Sequence, residues 1–553
     1  MFLRKIFILV IFCLASSGVA LAQENGLVFS IQDKLQKSQL VSGQVLHAYP
    51  ILKRYYQDRS FEPVWIKSDL KVTKQAKDLL KILNQIDQEG LNPEDYHFEI
   101  ISLNLDQAKK FRQQDKLEDL ADLELLLSDA FLSLGFHFSY GKVDPMNFKA
   151  RWYAPISENG LPAIMDQAVA NNQVREALLD LLPKTPGYQK LRQKLAELKE
   201  LSQETNWTPI PDLPKNKKLK LGDQDERIVL IKQRLDLLPN LKQDIWPEQA
   251  YVFDQELEVA LKEFQAQHGL LVDGVVGWRT INNLNEAIFK KIEQVKINLD
   301  RQRALASLLY EPRNIVVNIP NFGLEVRDNN QKIMEMRVIV GMKKRMTPLL
   351  SSEINHLIFS PKWFVPDTIL VEDKLPLVKD DPEFFKKHGM KIYEKGGERS
   401  KQAEPIDPET IDWSQIDFDD PEDVPFRVVQ GPGAGNALGR VKFMFPNPHA
   451  VYLHDTPTKG LFNNAYRAFS SGCMRIQKPI DMAKFLLQDK KSWDEEKIKR
   501  AMNQGHEQVV PLTNPIPIHV IYMTSWVDDN NQLQLREDIY GLDTAYQKAF
   551  NTH

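Results

Sequence analysis

The hydrophobic period of this chain changes near residue 312, and that change limits its architecture more than any other feature. From Gln23 to about Pro211 apolar residues recur every three or four positions, as around Leu79-Leu80-Lys81-Ile82-Leu83 and Leu123-Glu124-Leu125-Leu126-Leu127, which predicts helices. Another helical stretch runs from about Ala287 to Leu309. From Asn314-Ile315-Val316-Val317-Asn318-Ile319 onward the texture is that of strands. Strands are predicted at Glu335–Val340, Leu357–Phe359, Arg440–Phe445, Ala450–Leu453, Ile516–Met523 and Leu533–Leu535, with helices at Ile480–Gln488 and Asp494–Met502. The expected fold is multidomain α+β, with a helical N-terminal part and a mostly β C-terminal part. With 42% hydrophobic residues and only two Cys among 553, the chain can bury several cores. A disordered, collagen-like or disulfide-stapled chain is excluded. Lys+Arg number 71 against Asp+Glu 75, a net charge of −4, so nothing calls for a nucleic-acid partner.

The N-terminus points to export. Arg4 and Lys5 precede an unbroken apolar run from Ile6 to Ala15, followed by Ala20-Leu21-Ala22. This is the pattern of a secretory signal over residues 1–22, and the run is too short to span a bilayer. An uncleaved anchor is the alternative. Cleavage removes Cys13 and leaves Cys473 as the lone thiol of an exported chain, where thiols normally pair. Such a residue is a buried inert Cys, an intermolecular bridge or a nucleophile.

Residues 23–211 are expected to form a helical scaffold domain. Gly90-Leu91-Asn92-Pro93 and Gly141-Lys142-Val143-Asp144-Pro145 mark stops and turns, and His97 and His137 read as helix-face or core histidines. Thr208 to Lys220, with Pro209, Pro211, Pro214 and four lysines, is expected to be a solvated linker. Residues 221–285 carry a compact three-helix pattern with a turn-rich connection from His268 to Gly277. Phe264-Gln265, Gly269-Leu270, Asp273-Gly274, Gly277, Thr280 and Leu284 make this block resemble the peptidoglycan-binding domain of cell-wall enzymes. A small helical bundle without a ligand is the alternative.

The segment 367–425 interrupts the β texture of residues 312–553 with 17 acidic and 8 basic residues. Asp417-Phe418-Asp419-Asp420 lacks EF-hand spacing, so the acidity reads as solvation. A structureless insertion of this length inside a compact domain is uncommon and is expected to act as a lid, with Trp413 and Phe418 as apolar anchors.

Cys473 lies in Ser470-Ser471-Gly472-Cys473-Met474-Arg475, separated by eighteen residues from His454 of Tyr452-Leu453-His454-Asp455-Thr456-Pro457. A thiol attacks as thiolate, and an imidazole can take its proton. Gly472 permits close approach of an acyl group, and Arg475 can bring positive charge to a carbonyl. His454, a spacer, then Ser470-Ser471-Gly472-Cys473 resembles the signature of the L,D-transpeptidases with a YkuD-type catalytic domain. In that signature a second His precedes the Gly, and an Asn follows the Cys by two positions. Here Ser471 and Arg475 stand there, as in the larger YcbB-like periplasmic branch. Val340-Gly341, Thr347-Pro348, Trp526-Val527-Asp528 and Asp538-Ile539-Tyr540-Gly541 are similar to that branch as well.

The resemblance implies a periplasmic, wall-associated enzyme whose Cys473 attacks the third residue of a tetrapeptide stem, with His454 as base and then acid. Backbone N–H groups around Gly472 and Cys473 would hold the oxyanion, while Tyr452 and Arg475 line the pocket and Ser471 orients groups through its hydroxyl. An amine on a second stem would resolve the thioester as a 3→3 cross-link. A carbapenem is expected to acylate the same thiol. The resemblance implies no metal and no organic cofactor, and makes cell-wall synthesis enzymes candidate partners. Water in place of the amine would make the protein an L,D-carboxypeptidase or a hydrolase releasing wall-bound peptides. A non-catalytic wall-binding scaffold is the third reading.

Overall fold

The computed structural model describes residues 25–114, 116–148, 160–204, 208–238, 250–329, 331–396, 404–413 and 424–552. The expected signal at 1–22 and the Asp417–Asp420 run, with Phe418, lie outside them. No helix among the described residues is long and apolar enough to cross a membrane.

The helical part is organised around Leu117–Tyr140, in which every residue from Leu120 to Phe138 is buried. Its apolar residues surround the axis, so it is a core helix. Tyr49–Asp58, Lys74–Leu83 and Phe98–Gln113 pack around it. A short hairpin of β1 (Leu40–Val41) and β2 (Gln44–Val45) precedes them. Local signals end the elements: Thr73 accepts the Ala76 N–H, and Gly90 (φ 76°) is left-handed. His97 and His137 are core residues. His97 Nε2 lies 2.8 Å from Asp129, and His137 Nδ1 2.7 Å from the Tyr96 hydroxyl.

The expected solvated linker is instead partly built into the next unit. Ile210 is buried in the core formed by Arg227–Leu237, Gln255–Gln267 and Trp278–Leu284, and its backbone N–H and C=O both bond the Asn285 amide at 2.8 Å. Leu219 bridges Val276. An apolar residue among prolines gains more from burial than from water. The Gln265 amide holds the following turn, donating to Asp273 and Val275 and accepting from Gly274.

Ile288–Leu309 is the spine joining the two parts. Its Asp300 accepts the N–H groups of Lys142 (2.7 Å) and Val143 (3.0 Å) and the Tyr546 hydroxyl (2.8 Å). The C-terminal helix Leu542–Phe550 sends Tyr546 and Phe550 into the N-terminal helical core.

The C-terminal part contains β3 (Asn314–Asn318), β4 (Gly323–Asp328), β5 (Gln331–Gly341), β6 (Leu350–Phe359), β7 (Trp363–Phe364), β8 (Met390–Glu394) and β9 (Phe426–Gln430). It continues with β10 (Val441–Met444), β11 (Leu453–His454), β12 (Ala468–Ser470), β13 (Met474–Ile476), β14 (Gln508–Ile521), β15 (Ser525–Val527) and β16 (Leu533–Leu535). Nine of these form one sheet in the order β12-β5-β13-β11-β10-β6-β14-β3-β4, and β4 pairs back onto β5, so the sheet closes on itself. Val338, Leu357, Phe443, Leu453, Met474 and Ile518 fill its core. Several strands differ from expectation, among them β6, which begins at Leu350 rather than Leu357. Ala450 is left-handed (φ 53°), so β11 pairs only from Leu453. β14 starts at Gln508, with a register shift between Pro511 and Ile516.

The segment 367–425 is not structureless. β7, β8 and β9 form a separate sheet covered by Leu375–Asp380 and Phe384–Lys387. Trp363, Leu370, Phe385, Ile392, Trp413 and Val428 belong to its own core, which draws on residues outside 367–425. Trp413 is committed to that core, with its indole N–H donating to the Pro408 carbonyl at 2.9 Å. It is not an anchor for a substrate.

Candidate active site

Across β10, β11 and β13 one row of residues is in register: Lys442 opposite His454, and His454 beside Arg475. Members of a row share a face, and the alternate residues Phe443, Leu453 and Met474 enter the core. Two positions earlier on the parallel pair, the Met474 N–H donates to the Tyr452 carbonyl at 3.1 Å, which sets Cys473 beside Tyr452. Strand alternation therefore gathers Lys442, Tyr452, His454, Cys473 and Arg475 on one face, where Tyr452 and Cys473 still pack partly against the core. His454 is the diagonal neighbour of Cys473, about 8 Å away between Cα positions by strand spacing and rise. Its ring meets the Tyr452 ring edge at a centroid distance of 5.9 Å.

The His454 ring is buried, and its Nδ1 lies 2.5 Å from the Asp455 carbonyl. A carbonyl only accepts, so the Asp455 contact favours the proton on Nδ1, and the Leu438 backbone is a second partner of the ring. Burial, and next the Arg475 charge, push its pKa down to about 4. The Asp455 carboxylate is engaged elsewhere, accepting from the Arg440 N–H at 2.9 Å and pairing with Lys459. It rests against Gly439, where an added Cβ would fall 2.5 Å from the carboxyl carbon. The orienting partners of the imidazole are thus main-chain groups, of Asp455 and Leu438.

Cys473 is half-buried, and burial raises its pKa, while the Tyr452 backbone and hydroxyl and the Lys442 and Arg475 charges act in the other direction. Burial also raises the Tyr452 pKa, so its hydroxyl stays protonated and can donate. Lys442 sits over the Tyr452 ring at 5.4 Å, and burial lowers its pKa. Arg475 Nη1 donates to Thr458 at 3.3 Å, and its Nε is buried with no partner among the described residues.

The loop before Cys473 is held from several sides. Gly472 has φ 110°, a conformation that L side chains rarely adopt. Its N–H is turned to Ser470 Oγ (3.3 Å), and Ser470 donates to the Cys473 carbonyl (2.6 Å). The Gly472 N–H expected to face an oxyanion is therefore already engaged. Thr347 donates to the Gly472 carbonyl at 2.8 Å, and the Tyr540 hydroxyl to that of Gly341 at 2.6 Å. Ser471 Oγ accepts from Arg345 at 2.9 Å. Arg345 also grips Asp373 through two bonds of 2.6 and 2.8 Å and pairs with Glu372, linking the Cys473 loop to the inserted unit.

Lys442 and Arg345 were not legible as site residues. Lys442 occupies a polar position of an alternating strand, and Arg345 closes the basic run Lys343-Lys344-Arg345. Each looks like a solvated surface cation. Replacing Lys442 with Met is expected to move the alkylation profile of Cys473 to higher pH by roughly one unit, since a nearby cation stabilises the thiolate. Lys442→Arg should retain the wild-type profile. Iodoacetamide labelling followed across pH by intact mass makes the measurement.

Residues 312–500 match the family model of the "L,D-transpeptidase catalytic domain". The chain carries an L,D-transpeptidase catalytic domain of the YkuD family. Residues 224–284 match a "Putative peptidoglycan binding domain", and residues 50–195 a "Scaffold domain". A Haemophilus influenzae protein named "Putative L,D-transpeptidase" is 35% identical over 257 residues, covering 46% of this chain and 49% of that protein. The match thus spans about half the length of that relative. In this L,D-transpeptidase domain Cys473, His454 and Arg475 all fall within the matched residues, as do Arg345 and the inserted unit.

Proposed function

We propose that this protein is an exported, wall-associated enzyme that joins peptidoglycan stems by cysteine-dependent L,D-transpeptidation. The supporting observation is the shared face of Cys473, Tyr452, His454 and Arg475 beside a peptidoglycan-binding unit. His454 Nε2 takes the thiol proton as Cys473 Sγ bonds to the carbonyl carbon of the third stem residue. The C–N bond to the terminal D-Ala then breaks, and the departing amine takes the proton from His454. A second stem's side-chain amine attacks the thioester, forming an amide and returning the proton and electron pair to the thiol. The Tyr452 hydroxyl donates to the oxyanion in both steps, and the Arg475 charge helps stabilise it. Mature protein incubated with disaccharide-tetrapeptides should yield a dimer smaller than two substrates by one D-Ala. Tripeptide monomer as the sole product would establish hydrolysis, and no product a binding scaffold.

The inserted unit is proposed as a lid. Tyr452 packs against both the sheet core and the core of the insertion, and Arg345 ties Ser471 to Asp373. Losing that charge-assisted pair should open the site by about tenfold. Arg345→Ala and Asp373→Asn are therefore expected to raise the rate of Cys473 labelling by a bulky maleimide about tenfold, and to increase the tripeptide-to-dimer ratio. Unchanged labelling in both variants refutes the lid.

A further inference from the structure

A groove of about 600 Å³ separates the peptidoglycan-binding unit from the catalytic sheet. One wall is Arg279, Asn282 and Glu286; the floor is Phe289 on the spine helix; the far wall is Tyr466 and Glu537. Phe289 is 60% exposed, although the spine buries much of its length. Tyr466 stands edge-on to Phe322, with the Arg279 guanidinium 5.9 Å from its centroid. Arg279 also covers the ring of Trp278, which is 65% exposed just beyond the rim. Aromatic faces alternating with Asn, Arg and carboxylate side chains suit a ligand with apolar ring faces and equatorial hydroxyl and amide groups. A groove of this volume lies in the usual range of ligand sites, at a domain junction where such sites concentrate.

Two connections join this groove to the thiol. Tyr466 lies two residues before β12, which ends at Ser470 in the nucleophile loop. On the other side Ile539 lines the groove, while the next residue, Tyr540, bonds the Gly341 carbonyl and the Thr347 N–H; Thr347 in turn holds the Gly472 carbonyl. The walls are contiguous because Arg536 donates to the Gln267 carbonyl at 2.8 Å and to Asn321 at 2.9 Å. The two units thus form one composite surface.

We propose that this groove binds the N-acetylhexosamine backbone of a wall glycan, so that a stem hanging from that strand is presented to Cys473. The inference rests on the transpeptidase reading and adds the sugar-binding site. The test uses the full mature chain, with wild type compared against Phe289→Ala and Arg279→Ala, both exposed and outside the catalytic row. Stem-free glycan oligomers, prepared by amidase treatment, are titrated calorimetrically. Acylation of Cys473 is followed in parallel with a free tetrapeptide and with a glycan-linked tetrapeptide. Wild type should bind the stem-free oligomer, and each variant should bind about tenfold more weakly. Each variant should also lose about tenfold in kcat/KM for the glycan-linked stem alone, with the free tetrapeptide unaffected. No binding by wild type, or equal binding by all three proteins, overturns the groove. If the free tetrapeptide never acylates wild-type Cys473 while sugar binding persists, the transpeptidase reading fails and the groove stands.

Discussion

Cys473→Ala is expected to abolish acyl-enzyme formation with both a tetrapeptide and a carbapenem. Cys473 is the only cysteine among the described residues, and its Sγ is the atom proposed to form the covalent bond. The fold should survive, because the position is half-buried and the loop is held by Ser470, Thr347 and Arg345 rather than by the thiol. The thermal midpoint should stay within about 4 °C of wild type, which corresponds to a change near 1 kcal/mol in a domain of this size. Intact-mass spectrometry decides the matter. An adduct on the alanine variant would place the nucleophile elsewhere.

The second large effect concerns His454. Removing a general base typically costs roughly 10²–10⁴-fold, and His454→Ala should lower acylation by that range near neutral pH. The pH profile separates a base from a structural histidine. With a pKa lowered to about 4, His454 is neutral throughout the neutral range, so wild-type acylation should lose rate only as pH falls through about 4. The thiol, raised by burial, is protonated over the same range. Without the imidazole only the small thiolate fraction reacts, so the variant's rate should climb roughly tenfold per pH unit up to the thiol pKa. The stability consequence has a definite sign. A histidine whose folded pKa is depressed contributes stability above pH 6.5 that is lost as pH falls toward 4. A His454→Ala variant that keeps a flat neutral profile would return the proton-transfer role to another group. His449, exposed between Pro448 and Ala450, provides the control.

The L,D-transpeptidase domain was legible in the sequence because the motif that marks it is local. His454 and Cys473 lie within one β11–β13 unit, and the motif around them contains the unusual residue types. The helical part and the small three-helix unit were legible from period and glycine placement, down to Gly90 and Gly141 at element ends. What escaped depends on distant partners. Arg345 acquires a role only when Ser471 and Asp373 arrive from positions 126 and 28 residues away. The inserted unit looked structureless because its core pairs Trp363 and Val365 with Phe426 and Val428, across an acidic run that advertises solvent. Ile210 was hidden among prolines.

The docking of Leu542–Phe550 into the N-terminal helices also sets a timetable. Tyr546 and Phe550 are part of the same apolar cluster as Leu52 and Leu123, and the Asp300 site that fastens Lys142 and Val143 also accepts the Tyr546 hydroxyl. Ribosomes add about 5–20 residues per second, so the segment that completes this cluster emerges on the order of tens of seconds after the helices it seals. During that interval the nascent chain lacks its final wedge and presents apolar surface to whatever holds it. A nascent chain stalled before residue 542 should therefore be a better chaperone client than one that has released its last helix.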